Sequence, residues 1–135
     1  MRIFHQRVTL IQYRKPHVKN INEELQYLGN SLGLFGERDK DRSCFRVFIE
    51  LLKSARQNKG MSSDEIAART KLSRGTVVHH LTKLIESGLV VSHESRYFLR
   101  AGTLGASLEE VQKDINRTVE DLKAIAEAID KELGL

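Results

Sequence analysis

The chain has 135 residues, 40% hydrophobic and 30% charged, with a formal net charge of +4. That is one domain with a modest core and room for an appended helix. Its single cysteine, Cys44, excludes an internal disulfide and fits a reducing cytoplasm. The N-terminus has no apolar leader, and no run approaches the eighteen or so apolar residues of a membrane span. Neither secretion nor membrane insertion is expected. Gly-rich phosphate loops, HExxH and paired-cysteine motifs are missing, so no enzyme activity, cofactor or resident metal is expected. A net +4 is ordinary, but its spread is uneven. Residues 1–60 hold twelve Lys/Arg against six Asp/Glu, and residues 101–135 hold four against eight. A basic front and an acidic tail suggest that the tail faces away from a polyanion.

Residues 1–19 contain Ile3, Phe4, Val8, Leu10, Ile11 and Tyr13 before Pro16, a composition that predicts a strand. Arg2, Arg7, Arg14 and Lys15 could make it a basic arm on DNA; an edge strand is the plainer reading. Asn22-Glu23-Glu24-Leu25 opens a helix that Leu28 and Leu32 continue and Gly33 and Gly36 end. A charged connector, Glu37 to Arg42, leads to the helix SCFRVFIELLKSARQ, with Asp41 as its expected N-cap. Cys44, Phe48, Leu51, Leu52 and Ala55 share one face, so Cys44 reads as a small core residue rather than a redox switch.

Met61 to Arg100 organises the rest. Ser62 with Glu65 three residues on is a capping box, and Met61 with Ile66 is spaced as a staple. This helix stops near Thr70. Ser73 then caps a second helix, Arg74 to Ser87, with Val77, Leu81, Leu84 and Ile85 on an apolar face and Gly88 at its end. Leu89-Val90-Val91 and Tyr97-Phe98-Leu99, separated by Ser92 to Arg96, form a small hairpin. Two helices across a short turn followed by a hairpin match a winged helix-turn-helix.

The run Leu72-Ser73-Arg74-Gly75-Thr76-Val77-Val78-His79-His80-Leu81, then Leu84 and Ser87-Gly88-Leu89-Val90, resembles the recognition-helix signature of ArsR-type and related MarR-type transcriptional regulators. The resemblance covers about forty residues and implies DNA binding.

Rotation by 100° per residue sorts the faces of this second helix. With Leu81 inward, His79, Lys83 and Thr76 point away, Gly75 lies near them, and His80 is on the flank. Arg74, in the first turn, can read guanine; Thr76 can meet thymine or phosphate; Lys83 suits phosphate. Ser73, Gly75, His79 and His80 complete the helix contribution. On the wing, His93 and Arg96 are the candidates, with Arg96 reaching a minor groove or its phosphates. Adjacent His79 and His80 diverge too far to chelate one ion together, so no metal is expected.

After a short linker, Ser107-Leu108-Glu109-Glu110 reads as another capping box, and no Gly or Pro interrupts the chain from there to Leu133. Leu108, Val111, Ile115, Thr118, Leu122, Ile125 and Ile129 repeat at steps of three and four, the seam of a coiled coil. A rod of about 39 Å cannot hide its whole stripe on a small domain. Leu108, Val111, Ile115, Leu122, Ile125 and Ile129 are therefore the expected dimerisation residues.

The fold expected is mostly α with a small β-hairpin wing. Residues 1–40 form an arm and short helix, 41–100 the winged helix-turn-helix, and 106–135 a C-terminal dimerisation helix. The function expected is a sequence-specific double-stranded DNA-binding regulator, a cytoplasmic homodimeric repressor with helix 74–87 in the major groove. Two other readings stay open: a protein-interaction module of the transcription machinery and an RNA-binding winged helix. The sequence specifies no effector.

Overall fold

The computed structural model describes residues 5–17, 19–36 and 39–135. Arg2, Ile3 and Phe4 of the arm and Glu37 and Arg38 of the connector lie outside the described residues. The elements in order are α1 (Ile21–Ser31), a 3-10 turn (Lys40–Arg42), α2 (Ser43–Ala55), α3 (Ser63–Thr70), α4 (Arg74–Ser87), β1 (Val90–His93), β2 (Arg96–Leu99) and α5 (Leu104–Leu133). α2, α3 and α4 pack around one core, the two-stranded wing follows α4, and the long helix comes last. This is a winged helix-turn-helix with an appended helix.

Among the described residues, the expected strand at the N-terminus does not form. Residues 5–16 run extended, without a sheet partner among the described residues. The main chain is instead held at two helix ends. Arg7 N donates to Glu86 O at 2.9 Å and Ile11 N donates to Ser31 O at 2.7 Å, while Gln6 Nε2 donates to Ser87 O at 3.2 Å. The last carbonyls of a helix have no partner within it, and the arm supplies donors to them. β-propensity lost to these ready acceptors.

α1 is capped by Asn20, whose side chain accepts from the amides of Asn22 and Glu23. At α2 the expected cap Asp41 is not the one used. Asp41 and Arg42 take left-handed φ values of 58° and 54°. That turn brings Asp39 back over the helix start, where its carboxylate accepts from Cys44 N at 2.7 Å and Phe45 N at 3.2 Å.

The core joins Phe48, Leu51, Ile66, Val77, Leu81, Leu84, Leu89 and Val90. Phe35 closes one end, its ring edge-on to Phe45 at 5.3 Å. Gly29 makes room for it, since a Cβ there would lie 1.9 Å from the Phe35 ring. Cys44 is fully buried in this core, and burial pushes its thiol up to about 12. Such a thiol is inert near neutrality.

The wing pairs Val90 with Leu99 through His93 with Arg96. Its tip is the two-residue turn Glu94-Ser95, with φ of 50° and 62°. Positive φ at both positions suits the right-handed twist of a tight hairpin, although neither residue favours it. A third short segment joins the wing: Met61 and Tyr97 exchange both backbone hydrogen bonds, at 3.1 and 2.8 Å. Met61 thus anchors the start of α3 to the sheet as well as to the core.

α5 starts earlier than the Ser107 capping box implied. Thr103 is the cap, accepting from Ala106 N at 3.1 Å. Ser107 is fully buried in the first turn, where its hydroxyl donates to Thr103 O and accepts from Ala101 N. The first third of α5 packs on the domain through Val111 and Asp114. From Asn116 onward every residue is exposed.

Candidate nucleic-acid interface

The helix-turn-helix unit is built by three local devices. Ser62 Oγ accepts from Glu65 N at 3.1 Å and starts α3. Lys71 turns the chain at φ 59°, and Ser73 Oγ then accepts from Thr76 N at 3.2 Å and starts α4. Gly88 ends α4 at φ 90°, a conformation that glycine adopts without a Cβ clash. Arg46 donates to the carbonyl of Thr70 and ties the end of α3 to α2.

The first turn of α4 is exposed, and its amides and positive dipole end face outward. Arg74 stands on it with its side chain 72% exposed, and its Nε lies 3.5 Å from Asp64 Oδ1 of α3. The contact is weak, so the guanidinium is held loosely where it can exchange partners. Gly75 next to it has nothing within 4 Å of where a Cβ would be. Thr76 is half-buried, with Oγ1 accepting from Ser73 Oγ at 2.8 Å. His79 is exposed one turn on.

His80 is not on this surface. It is buried, and its Nε2 lies 2.6 Å from Ser43 Oγ of α2. The 100° rotation put it on the flank, but α2 packs against that flank and covers it. Burial pushes the imidazole below its usual value; Asp39 opposes that shift, and His79 and Lys83 add to it. His80 belongs to the scaffold of the recognition helix.

Lys83 is exposed on the far turn, with Nζ donating to Leu34 O at 3.3 Å. Arg96 flanks the wing-tip turn opposite His93, but its side chain turns back toward the domain. It starts β2 and faces the α2–α3 connection. There its Nε donates to Lys59 O at 2.9 Å, Nη2 donates to Gly60 O at 3.0 Å, and Nη1 pairs with Glu65 Oε1 at 2.9 Å. The Arg96 hydrogen bond holds the Glu65 carboxyl below its usual range. Arg96 therefore braces the wing against α3. His93 sits at the wing tip, exposed beside Glu94.

Ser73, Arg74, Gly75 and Thr76 thus converge on the start of α4, with His79 and Lys83 further along and His93 on the wing. Sequence reasoning passed over two residues of this exposed helix side, Val78 and Thr82. Val78 is 39% exposed and offers an apolar contact of the kind a thymine methyl accepts. A valine out of step with the inward set was the available signal.

The tail residues divide in the same way. Val111 is buried in the domain's own core, and Ile115 is half-buried against it. The inward line is Ser107, Val111 and Asp114, because Arg100 reaches Asp114 Oδ2 at 2.6 Å and fixes that face inward. Arg117 pairs with the same carboxylate. The seam read from sequence therefore turns over part-way. Leu108 lies on its edge at 37% exposure, and the outward stripe beyond it is Val119, Leu122, Ala126, Ile129 and Leu133 with Ile125 alongside.

Among the described residues no group of three or more His, Cys, Asp or Glu is placed to hold a metal ion, and no helix is long and apolar enough to cross a membrane. A family model described as a helix-turn-helix domain matches residues 41–93, less than half of the chain. The match falls on the α2–α4 unit and β1, and it supports a helix-turn-helix DNA-binding domain there. No curated protein and no solved structure gives a significant match to the chain.

Proposed function

We propose that the chain is a sequence-specific double-stranded DNA-binding transcriptional regulator, a homodimeric repressor that lays α4 in the major groove. The observation that carries this reading is the start of α4. An arginine on an exposed first turn, loosely paired and next to an unobstructed glycine, is what bidentate base reading requires. The helix-turn-helix match spans these residues. Residues 41–100 make the reading head and the tail makes the dimer. Two heads on a two-fold axis would read two half-sites of a palindrome. The ArsR-like and MarR-like resemblance of residues 72–90 agrees with a repressor. The reading assigns binding rather than catalysis, in the cytoplasm, and it names no cofactor and no effector.

A second reading has one observation in its favour. Val78 and Ile85, seven residues apart on one side of α4, are 39% and 37% exposed. A protein-docking winged helix would want an apolar surface there. Selection of bound sequences from a random duplex pool separates the two. Recovery of a palindromic motif supports the regulator, and recovery of no motif supports the docking module.

A further inference from the structure

An apolar groove runs between the arm, α1 and α5. Leu10 of the arm, Leu28 and Leu32 of α1 and Leu108 of α5 line its first section, a space of about 440 Å³ with Lys15 and Glu24 also in its wall. It continues along α5 past Leu10, Leu32 and Ile115. A final section between the arm and α5 reaches Val119. From Leu108 to Val119 the groove follows α5 for about 16 Å at 1.5 Å per residue.

The same chain carries a surface that fits this groove and cannot reach it. The distal part of α5 exposes Leu122, Ile129 and Leu133 at 59%, 52% and 67%. Val119 to Leu133 spans about 21 Å of helix. The helix is continuous, so this stripe projects beyond its own domain. The arm's wall of the groove and the distal tail also carry opposite net charge. Residues 5–17 of the arm hold Arg7, Arg14 and Lys15 and no acidic residue. Residues 118–135 hold five acidic residues, among them Asp130 and Glu132, against Lys123 and Lys131.

We propose that two copies pair with their tails antiparallel, so that the distal tail of each lies in the arm–α1–α5 groove of the other. This rests on the homodimer reading above and adds its geometry. A parallel pair would set one acidic distal tail against another and leave both grooves open. An antiparallel pair centred near Leu122 sets the acidic tail against the basic arm and brings Ile129 and Leu133 of each copy to Leu10, Leu108 and Ile115 of the other. The contact is isologous, since each copy gives the same tail and the same groove. The arm then has an assembly role.

Cysteine trapping tests this, because the native Cys44 is buried and does not compete. Leu10→Cys and Leu133→Cys proteins, both altered at exposed positions, are mixed and oxidised, and the mass of the unaltered chain is measured by light scattering. The expected result is a dimer whose mixed disulfide outweighs the disulfide of Leu133→Cys with itself. Lys15→Glu should also raise the dimer dissociation constant about threefold to tenfold at low salt, and little at high salt. A dimer in which Leu133→Cys pairs with itself overturns the antiparallel arrangement and leaves the homodimer standing. A dimer that forms no mixed disulfide does the same. A monomeric chain overturns both.

Discussion

Ser43 Oγ and His80 Nε2 lie 2.6 Å apart, joining the start of α2 to the middle of α4 inside the core. Ser43 also lies 3.4 Å from Asp39 Oδ1, to which its hydroxyl can donate. The histidine then donates from Nε2 to Ser43 Oγ and keeps Nδ1 unprotonated, buried and without a partner among the described residues. Protonation would place a charge on that nitrogen. The folded value is lowered, so in acid the unfolded chain binds the extra proton first and stability is lost as pH falls below about 6.5. His80→Gln, which keeps a donor but does not titrate, should cost about 1 kcal/mol at pH 7. It should also flatten the stability curve between pH 7 and 5. Thermal melts across that range check it; an unchanged slope would remove His80 from the account.

At the DNA-facing end, Arg74→Ala is expected to weaken specific binding by about 1–3 kcal/mol, the size of a lost bidentate base contact. Asp64 is the partner that Arg74 must leave. Asp64→Asn should therefore strengthen binding modestly and more at low salt, since it also removes a negative charge near the phosphates. Anisotropy titrations with specific and random duplexes separate the cases. Equal losses on both duplexes for Arg74→Ala would reduce Arg74 to a phosphate contact.

Lys83 and Arg96, paired in sequence reasoning as phosphate contacts, should now behave differently. Lys83 is exposed on α4, and Lys83→Ala should lower the salt slope of log K by about one unit. Arg96 holds three partners in the α2–α3 connection and α3. Arg96→Ala should chiefly lower the melting temperature and leave the slope alone. Salt titrations of both variants check this, and a reversed pattern would put Arg96 on the DNA.

Asp114 fastens α5 to the domain through Arg100, which also reaches the Gly88 carbonyl. Arg100's hydrogen bond, foremost, holds the Asp114 carboxyl below its usual range. Its stability contribution is present above the unfolded value near 3.8 and is lost as pH falls through the lower folded value. Asp114→Asn should cost roughly 1.5–3 kcal/mol at neutral pH. The difference from the unaltered chain should shrink in acid. Denaturant titrations at pH 7 and pH 3 measure both.

Much of this was legible in the chain because local rules decided it. Ser62, Ser73 and Gly88 start and stop helices by their own chemistry, and the structure uses all three. What escaped depended on neighbours distant in sequence. Asp39 replaced Asp41 as cap because Asp41 and Arg42 both turn left-handed. Met61 found Tyr97 across thirty-six positions, and His80 found Ser43 across thirty-seven. The tail periodicity was read correctly as apolar but not for facing. A repeat of three and four shows that a stripe exists; Arg100 and Asp114 decide which part of it turns inward.

That division gives the assembly test its force. Leu122 is 59% exposed, beyond the last buried residue of α5, and it contributes little to the domain's own core. Burying a leucine is worth roughly 1.5–3 kcal/mol, and across a two-fold axis each such residue counts twice. Leu122→Glu places two like charges at the centre of the proposed pair. The expected product is a monomer with an unchanged helical spectrum and a folded helix-turn-helix. It should bind a palindromic site poorly, because each half-site must then be engaged independently. Sedimentation gives the mass, circular dichroism the fold and a duplex titration the affinity. An unaltered chain that is already monomeric at micromolar concentration sinks the dimer. If Leu122→Glu instead unfolds the domain, the distal tail packs on its own core in solution, and the outward stripe is not an interface.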